Sequence, residues 1–156
     1  IFFNAKPLKV ISFDIKAARS SSYKDDLRLQ KNKFSATTTI SPLSYLFFKL
    51  KGEIQEMEGA RCHANLYEIK FLFLQNFSLM LGASFINIEG ENYMYVAIPP
   101  VSEADMATDI FKESTQAYGV KLKYRAELIS FHIRGQYLKS DSGRELTAEF
   151  SLGLVF

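Results

Sequence analysis

The chain has 156 residues, a formal net charge of +2 and 47% hydrophobic residues, with 14 Phe, 8 Tyr and no Trp. The length suits one domain, 1–156; the charge is too small to point to nucleic acid or a polybasic membrane patch; and the single cysteine, Cys62, excludes an internal disulfide framework. No stretch approaches the roughly 18 to 20 apolar residues of a membrane helix, and no basic-then-apolar segment stands at Ile1, so an exported form would already have lost its signal.

Period-two alternation, the mark of a strand with one apolar face, runs through most of the chain. The first such segment sets Ile11, Phe13, Ile15 and Ala17 against Ser12, Asp14 and Lys16. The second sets Phe34, Ala36, Thr38 and Ile40 against Lys33, Ser35, Thr37 and Thr39. Leu46, Phe48, Leu50 and Ile54 then alternate with Lys49, Lys51, Glu53 and Gln55. Next come Tyr67, Ile69, Phe71 and Phe73 against Glu68 and Lys70, followed by Phe77, Leu79, Leu81, Ala83 and Phe85 against Ser78, Met80, Gly82 and Ser84. Further on, Tyr118, Val120, Leu122, Tyr124 and Ala126 oppose Lys121, Lys123, Arg125 and Glu127. Phe131, Ile133, Gly135 and Tyr137 oppose His132, Arg134 and Gln136. The last segment places Leu146, Ala148, Phe150, Leu152, Leu154 and Phe156 against Glu145, Thr147, Glu149, Ser151, Gly153 and Val155.

These eight segments predict an all-β fold, an eight-stranded antiparallel up-and-down barrel. Its connections alternate in length. Short ones fall near Ser41, Gln75 and Ala126; longer ones begin near Ser20, Met57 and Glu89, and the last, "KSDSGR", carries a turn. Short turns at one end and longer loops at the other are the layout of an outer-membrane barrel, and put both termini at the short-turn end. A turn centred on Asp141 and Ser142 sets Arg134 opposite Glu149, His132 opposite Ser151, Ile133 opposite Phe150 and Phe131 opposite Leu152. Each side chain then meets its own kind, and a one-residue slip would undo all of it. Inside the long loop 89–115, Val101 to Glu113 reads as a short helix. Pro99 and Pro100 stop the strand, Ser102 caps, Glu103 and Asp105 follow, and Met106, Ile110 and Phe111 form the apolar side.

Alternation does not say which face meets water. A soluble lipocalin-type lipid carrier turns its Phe and Leu inward; a membrane barrel turns them out. The absence of Trp removes the Gly-x-Trp expected of a lipocalin. The alternating segment Leu146 to Phe156, closing on an aromatic, resembles the C-terminal signal of bacterial outer-membrane proteins. The chain as a whole resembles the small eight-stranded outer-membrane barrels of the OmpA/OmpX kind.

That resemblance implies a monomer in the bacterial outer membrane. Its partners would be outer-membrane lipid and the barrel assembly machinery, which would read Phe150, Leu152, Leu154 and Phe156. Phe13, Phe48, Phe71, Leu79, Leu122, Ile133 and Phe150 would face lipid. The interior would hold Asp14, Lys16, Lys49, Lys51, Glu53, Glu68, Lys70, Lys121, Lys123, Arg125, Glu127, Arg134, Glu145 and Glu149 as a paired, hydrated network. Tyr45 and Phe47 would lie at the short-turn rim, and Phe77, Tyr124 and Phe156 would anchor the outer rim.

The expected role is non-enzymatic: envelope integrity or surface interaction through the long loops, with no cofactor. An OmpW-like conduit for small or apolar solutes is the alternative, with Gly82, Ser84 and Gly119 supplying the gap. A lipid A deacylase of the PagL type is a further one. That family has His before Ser on a lipid-facing strand face, whereas here Ser130 precedes His132, on the face of Arg134. Adjacent Cys62 and His63 would point to opposite faces and make no metal site. Asp25, Asp26, Glu103, Asp105 and Asp109 read as solvated loop charge.

Overall fold

The computed structural model describes residues 1–8, 10–24, 27–57, 60–73, 76–89, 93–97, 108–127 and 129–154. Eleven strands follow in chain order: β1 (Phe2–Leu8), β2 (Ile11–Lys24), β3 (Leu27–Leu43), β4 (Leu46–Met57), β5 (Ala60–Phe73), β6 (Phe77–Ile88), β7 (Met94–Ala97), β8 (Thr108–Phe111), β9 (Thr115–Arg125), β10 (Ile129–Ser140) and β11 (Arg144–Leu154). Nine of them form one antiparallel meander in the order β1-β2-β3-β4-β5-β6-β9-β10-β11, and β7 pairs with β8 in a separate hairpin.

All eight alternating segments fall on strands of the meander, save Ala126 and Glu127, which follow β9, and Val155 and Phe156, which lie outside the described residues. The ninth strand, β1, is the departure from eight. It pairs from Phe2 opposite Lys16 to Leu8 opposite Ile11, with an irregularity between Ala5 and Leu8. Its sequence hides it: Phe2 and Phe3 are neighbours rather than alternates, and Pro7 has no N–H to give a ladder. The Ile1 amino group donates to the Ala17 carbonyl and the Ala17 amide donates to the Ile1 carbonyl, each at 2.9 Å, and Asn4 Nδ2 donates to Asp14 Oδ1. β1 and β11 are the two edges of the sheet, and closure into a barrel is not seen among the described residues.

A ninth strand also moves the N-terminus. Ile1 pairs with Ala17 midway along β2, away from the short-turn end at which β11 finishes. The long connections are mostly strand as well. β2 and β3 stay paired up to Lys24 opposite Leu27, and β4 and β5 up to Met57 opposite Ala60. Ser20, Ser21 and Ser22 therefore extend a ladder where polar sequence suggests a loop.

The expected helix at 101–113 is not formed at its C-terminal part. Thr108–Phe111 is strand β8, paired from Met94 opposite Phe111 to Ala97 opposite Thr108; residues 101–107 lie outside the described residues. Long-range pairing with β7 overrides a local helical spacing that only one turn supports. Among the described residues there is no helix.

The last hairpin has the register read from the sequence. Arg134 lies opposite Glu149, His132 opposite Ser151, Ile133 opposite Phe150 and Phe131 opposite Leu152.

Candidate functional site

The two faces of the sheet differ in chemistry and in burial. Adjacent residues show it. Glu68 is 5% exposed and Tyr67 46%; Lys121 is 5% exposed and Val120 43%. At these positions the polar face is the more covered one. Phe150, Leu152 and Leu154 on β11 are each at least 65% exposed.

Strand pairing joins the expected lipid-facing residues into a row. Phe71 stands opposite Leu79, Leu79 opposite Leu122, Leu122 opposite Ile133 and Ile133 opposite Phe150. Phe13 and Phe48 lie on the same face, Phe13 opposite Thr38 and Phe48 opposite Ile40 and Ile69. Aromatic rings cluster on this face at two levels. Phe77, Tyr124 and Phe131 meet near the turn after β9, with Phe77 and Tyr124 centroids 4.6 Å apart. Tyr67, Phe85, Tyr118 and Tyr137 form a second chain of contacts at 6.0–6.3 Å. Phe156 lies outside the described residues, and Tyr45 is exposed in the β3–β4 turn.

The polar face holds an ion-pair network. Lys33 Nζ is 3.2 Å from Glu53 Oε2, Lys51 pairs with the other oxygen of Glu53, and Lys49 Nζ is 3.2 Å from Glu68 Oε2. Arg134 Nη1 reaches Glu149 Oε2 at 3.9 Å. Lys70 shares this face and lies over the Phe47 ring at 5.9 Å. Asp14 and Lys16 lie on the face beside β1, and Glu145 on β11 is exposed. Lys121 is buried, whereas Lys123 and Arg125 are exposed on the same face of β9. Glu127 falls beyond β9, exposed in the turn rather than on a strand.

One element of this face escapes the sequence pattern. The β7–β8 hairpin folds over the polar-side ends of β5, β6 and β9. Met94, Val96 and Phe111 are buried there against Cys62, Ala64, Ile86 and Ala117, with Ile88 and Leu138 alongside. Gln55 on β4, itself buried, donates from Nε2 to the Tyr93 carbonyl at 2.7 Å and ties the hairpin to the wall. The available signal was the apolar character of Cys62, Ala64, Leu66, Ile86 and Ile88. They fall on the otherwise polar face, and so need a cover.

Below the hairpin the face narrows to small side chains. Gly82 stands opposite Gly119, and buried Ser84 opposite buried Ala117. Ser130 and His132 share the polar face, and Ser151 faces His132 across β10–β11. Cys62 is buried on the polar face while His63 points to the other side, as adjacent strand residues must. Asp25, Asp26, Glu103 and Asp105 lie outside the described residues; Asp109 is on β8.

No family model matches the chain, and no curated protein or solved structure matches it either.

Proposed function

We propose that the protein is an integral outer-membrane β-barrel with a side-chain-filled polar interior, serving envelope integrity or surface interaction rather than catalysis. The inverted sheet carries this reading: an exposed face of Phe, Leu, Ile and Val beside a covered face holding Glu53, Glu68 and Lys121. Water penalises the first face and an apolar core penalises the second. Hydrocarbon outside and hydrated ion pairs inside satisfy both. The two aromatic levels, Tyr118 and Tyr124 on β9, stand roughly 20 Å apart along the strand. They fit the girdles that border the apolar band of such barrels.

Strand direction limits how the sheet could close. In a nine-stranded meander the edge strands β1 and β11 run the same way, whereas β2 and β11 run oppositely. Antiparallel closure would therefore join β11 to β2, with β1 leaving the β2 edge. β1 is suited to leave: it has 7 residues against 14 in β2, and its pairing is irregular. The hairpin packed over Cys62, Ala64 and Ile86 favours a filled interior over a conduit. The loops at that end would face the cell exterior.

Electrophoretic heat-modifiability tests this. Protein folded in detergent should migrate differently boiled and unboiled, and should need detergent to stay dispersed. A monomer soluble in plain buffer, with no such shift, would overturn the proposal.

A further inference from the structure

The apolar face is not level. Ala83 stands directly between Tyr67 and Tyr118 across the strands, and two residues further along β9 and β10 Gly135 stands opposite Val120. A Cβ at Gly135 would meet nothing nearer than Val120 Cγ1 at 3.4 Å, so the missing side chain leaves room rather than relieving a clash. Between the tyrosines these two small residues open a groove of about 690 Å3, lined chiefly by apolar side chains and running from Phe48 on β4 to Leu146 on β11. That volume is in the range of small-molecule sites.

A second depression, of about 310 Å3, continues the same face beyond Phe85. Its polar side chains stand two residues past the tyrosines: Asn65 beside Tyr67, Gln116 beside Tyr118 and Lys139 beside Tyr137, with His63 and Asp141 at the next step. Phe85 lies opposite both Asn65 and Gln116, and its ring meets Tyr67 and Tyr118 at 6.1 and 6.0 Å, so one aromatic wall divides the two depressions. Two residues of strand span about 7 Å. A molecule filling both is apolar along most of its length and polar at one end, which is the build of a lipid. Lys139 and Asp141 bring one charge of each sign to the polar end; Arg144, across from Lys139, lines a separate depression with Glu113 and Glu145. Opposite charges side by side match a phosphate linked to an ammonium better than a bare anion.

We propose that this groove holds a single zwitterionic phospholipid, with one acyl chain over Ala83 and Gly135 and the headgroup between Lys139 and Asp141. The supply of lipid around the groove rests on the barrel reading; the groove itself rests on strand register and side-chain size. Solvating lipid exchanges without preference, whereas a held lipid saturates and is selected by its headgroup.

The test is native mass spectrometry of the protein folded in a nonionic detergent and titrated with palmitoyl-oleoyl phosphatidylethanolamine. A single lipid should stay bound as the micelle is stripped, and binding should saturate at that stoichiometry. Ala83→Leu fills the groove and should weaken binding about tenfold, the equivalent of roughly two methylenes denied burial. Ala36→Leu adds the same bulk to the apolar face outside the groove, opposite Ile15 and Gly52, and should bind within about twofold of the parent. Lys139→Gln/Asp141→Asn leaves the net charge unchanged and should erase the preference for phosphatidylethanolamine over phosphatidylglycerol. Amide shifts in the unmodified protein supply a readout independent of variant folding, and the largest should fall at Ala83, Gly135, Asn65 and Gln116. Adducts that grow without saturating, equal weakening in Ala36→Leu, equal affinity of the parent for the two lipids, or shifts centred elsewhere would each overturn the proposal. Saturable binding by a protein with no heat shift would remove the barrel reading alone; a heat shift without saturable binding would remove this site alone.

Discussion

Arg134 on β10 lies directly across from Glu149 on β11, their charged atoms 3.9 Å apart on the polar face. The pair joins the edge strand to its neighbour by side chains as well as backbone. Glu149 is 54% exposed and Arg134 only 13%, so solvent screens one partner and not the other.

A double-mutant cycle should measure that contact. Arg134→Gln and Glu149→Gln should each destabilise the protein in detergent unfolding, with a coupling of about 0.5 to 1 kcal/mol, the range of partly exposed pairs. Purely additive losses would mean that the two charges do not interact.

Glu113 offers a pH signal outside the strands of the wall. Its carboxylate accepts hydrogen bonds from the Ser142 hydroxyl and, at 3.0 Å, from the Ser142 amide, pinning the β10–β11 turn. Bonding from Ser142, then from Ser140, holds its pKa below the usual carboxyl value, against a small opposing effect of burial. A depressed carboxyl stabilises the fold above the unfolded pKa and loses that contribution as pH falls through the folded one. The Ser142 amide resonance should therefore shift with a midpoint below that of an ordinary glutamate. Glu113→Gln should abolish the shift; a midpoint at or above the ordinary value would contradict the arrangement.

Met94, fully buried, is the centre of the hairpin's contact with the wall. Met94→Ala should cost about 2 to 5 kcal/mol, by lost transfer energy plus the cavity left behind. Unfolding by denaturant in detergent should report the loss, and the Val96 amide should exchange faster. A loss well under 1 kcal/mol, with Val96 exchange unchanged, would show that the hairpin does not hold this end of the face.

The parts legible in the sequence are those where one face pays a solvent penalty. From Tyr118 to Arg125 and from Phe131 to Tyr137 the two faces differ at nearly every step, so position and register could both be read. β7 and β8 have four residues each, too few to establish a period, and the pairing of Met94 with Phe111 decides their conformation. Ser20 to Ser22 extend β2 without an apolar face, because a ladder needs only backbone partners there. β1 was masked by Pro7 and by the adjacent Phe2 and Phe3. Of the charged set, the sequence placed Glu53, Glu68 and Lys121 on one face, but the sharing of Glu53 by Lys33 and Lys51 depends on side-chain reach that alternation does not encode.

The central claim is that the apolar face meets lipid, and spin-label accessibility along β9 tests it most directly. In a Cys62→Ser background, single cysteines from Tyr118 to Arg125 would be labelled and the protein reconstituted in phospholipid vesicles. Oxygen, which concentrates in hydrocarbon, should reach labels best at Val120 and Leu122. A polar nickel reagent should instead favour Lys123 and Arg125. Oxygen maxima at Lys121 and Lys123, or a pattern unchanged between vesicles and lipid-free buffer, would contradict the account.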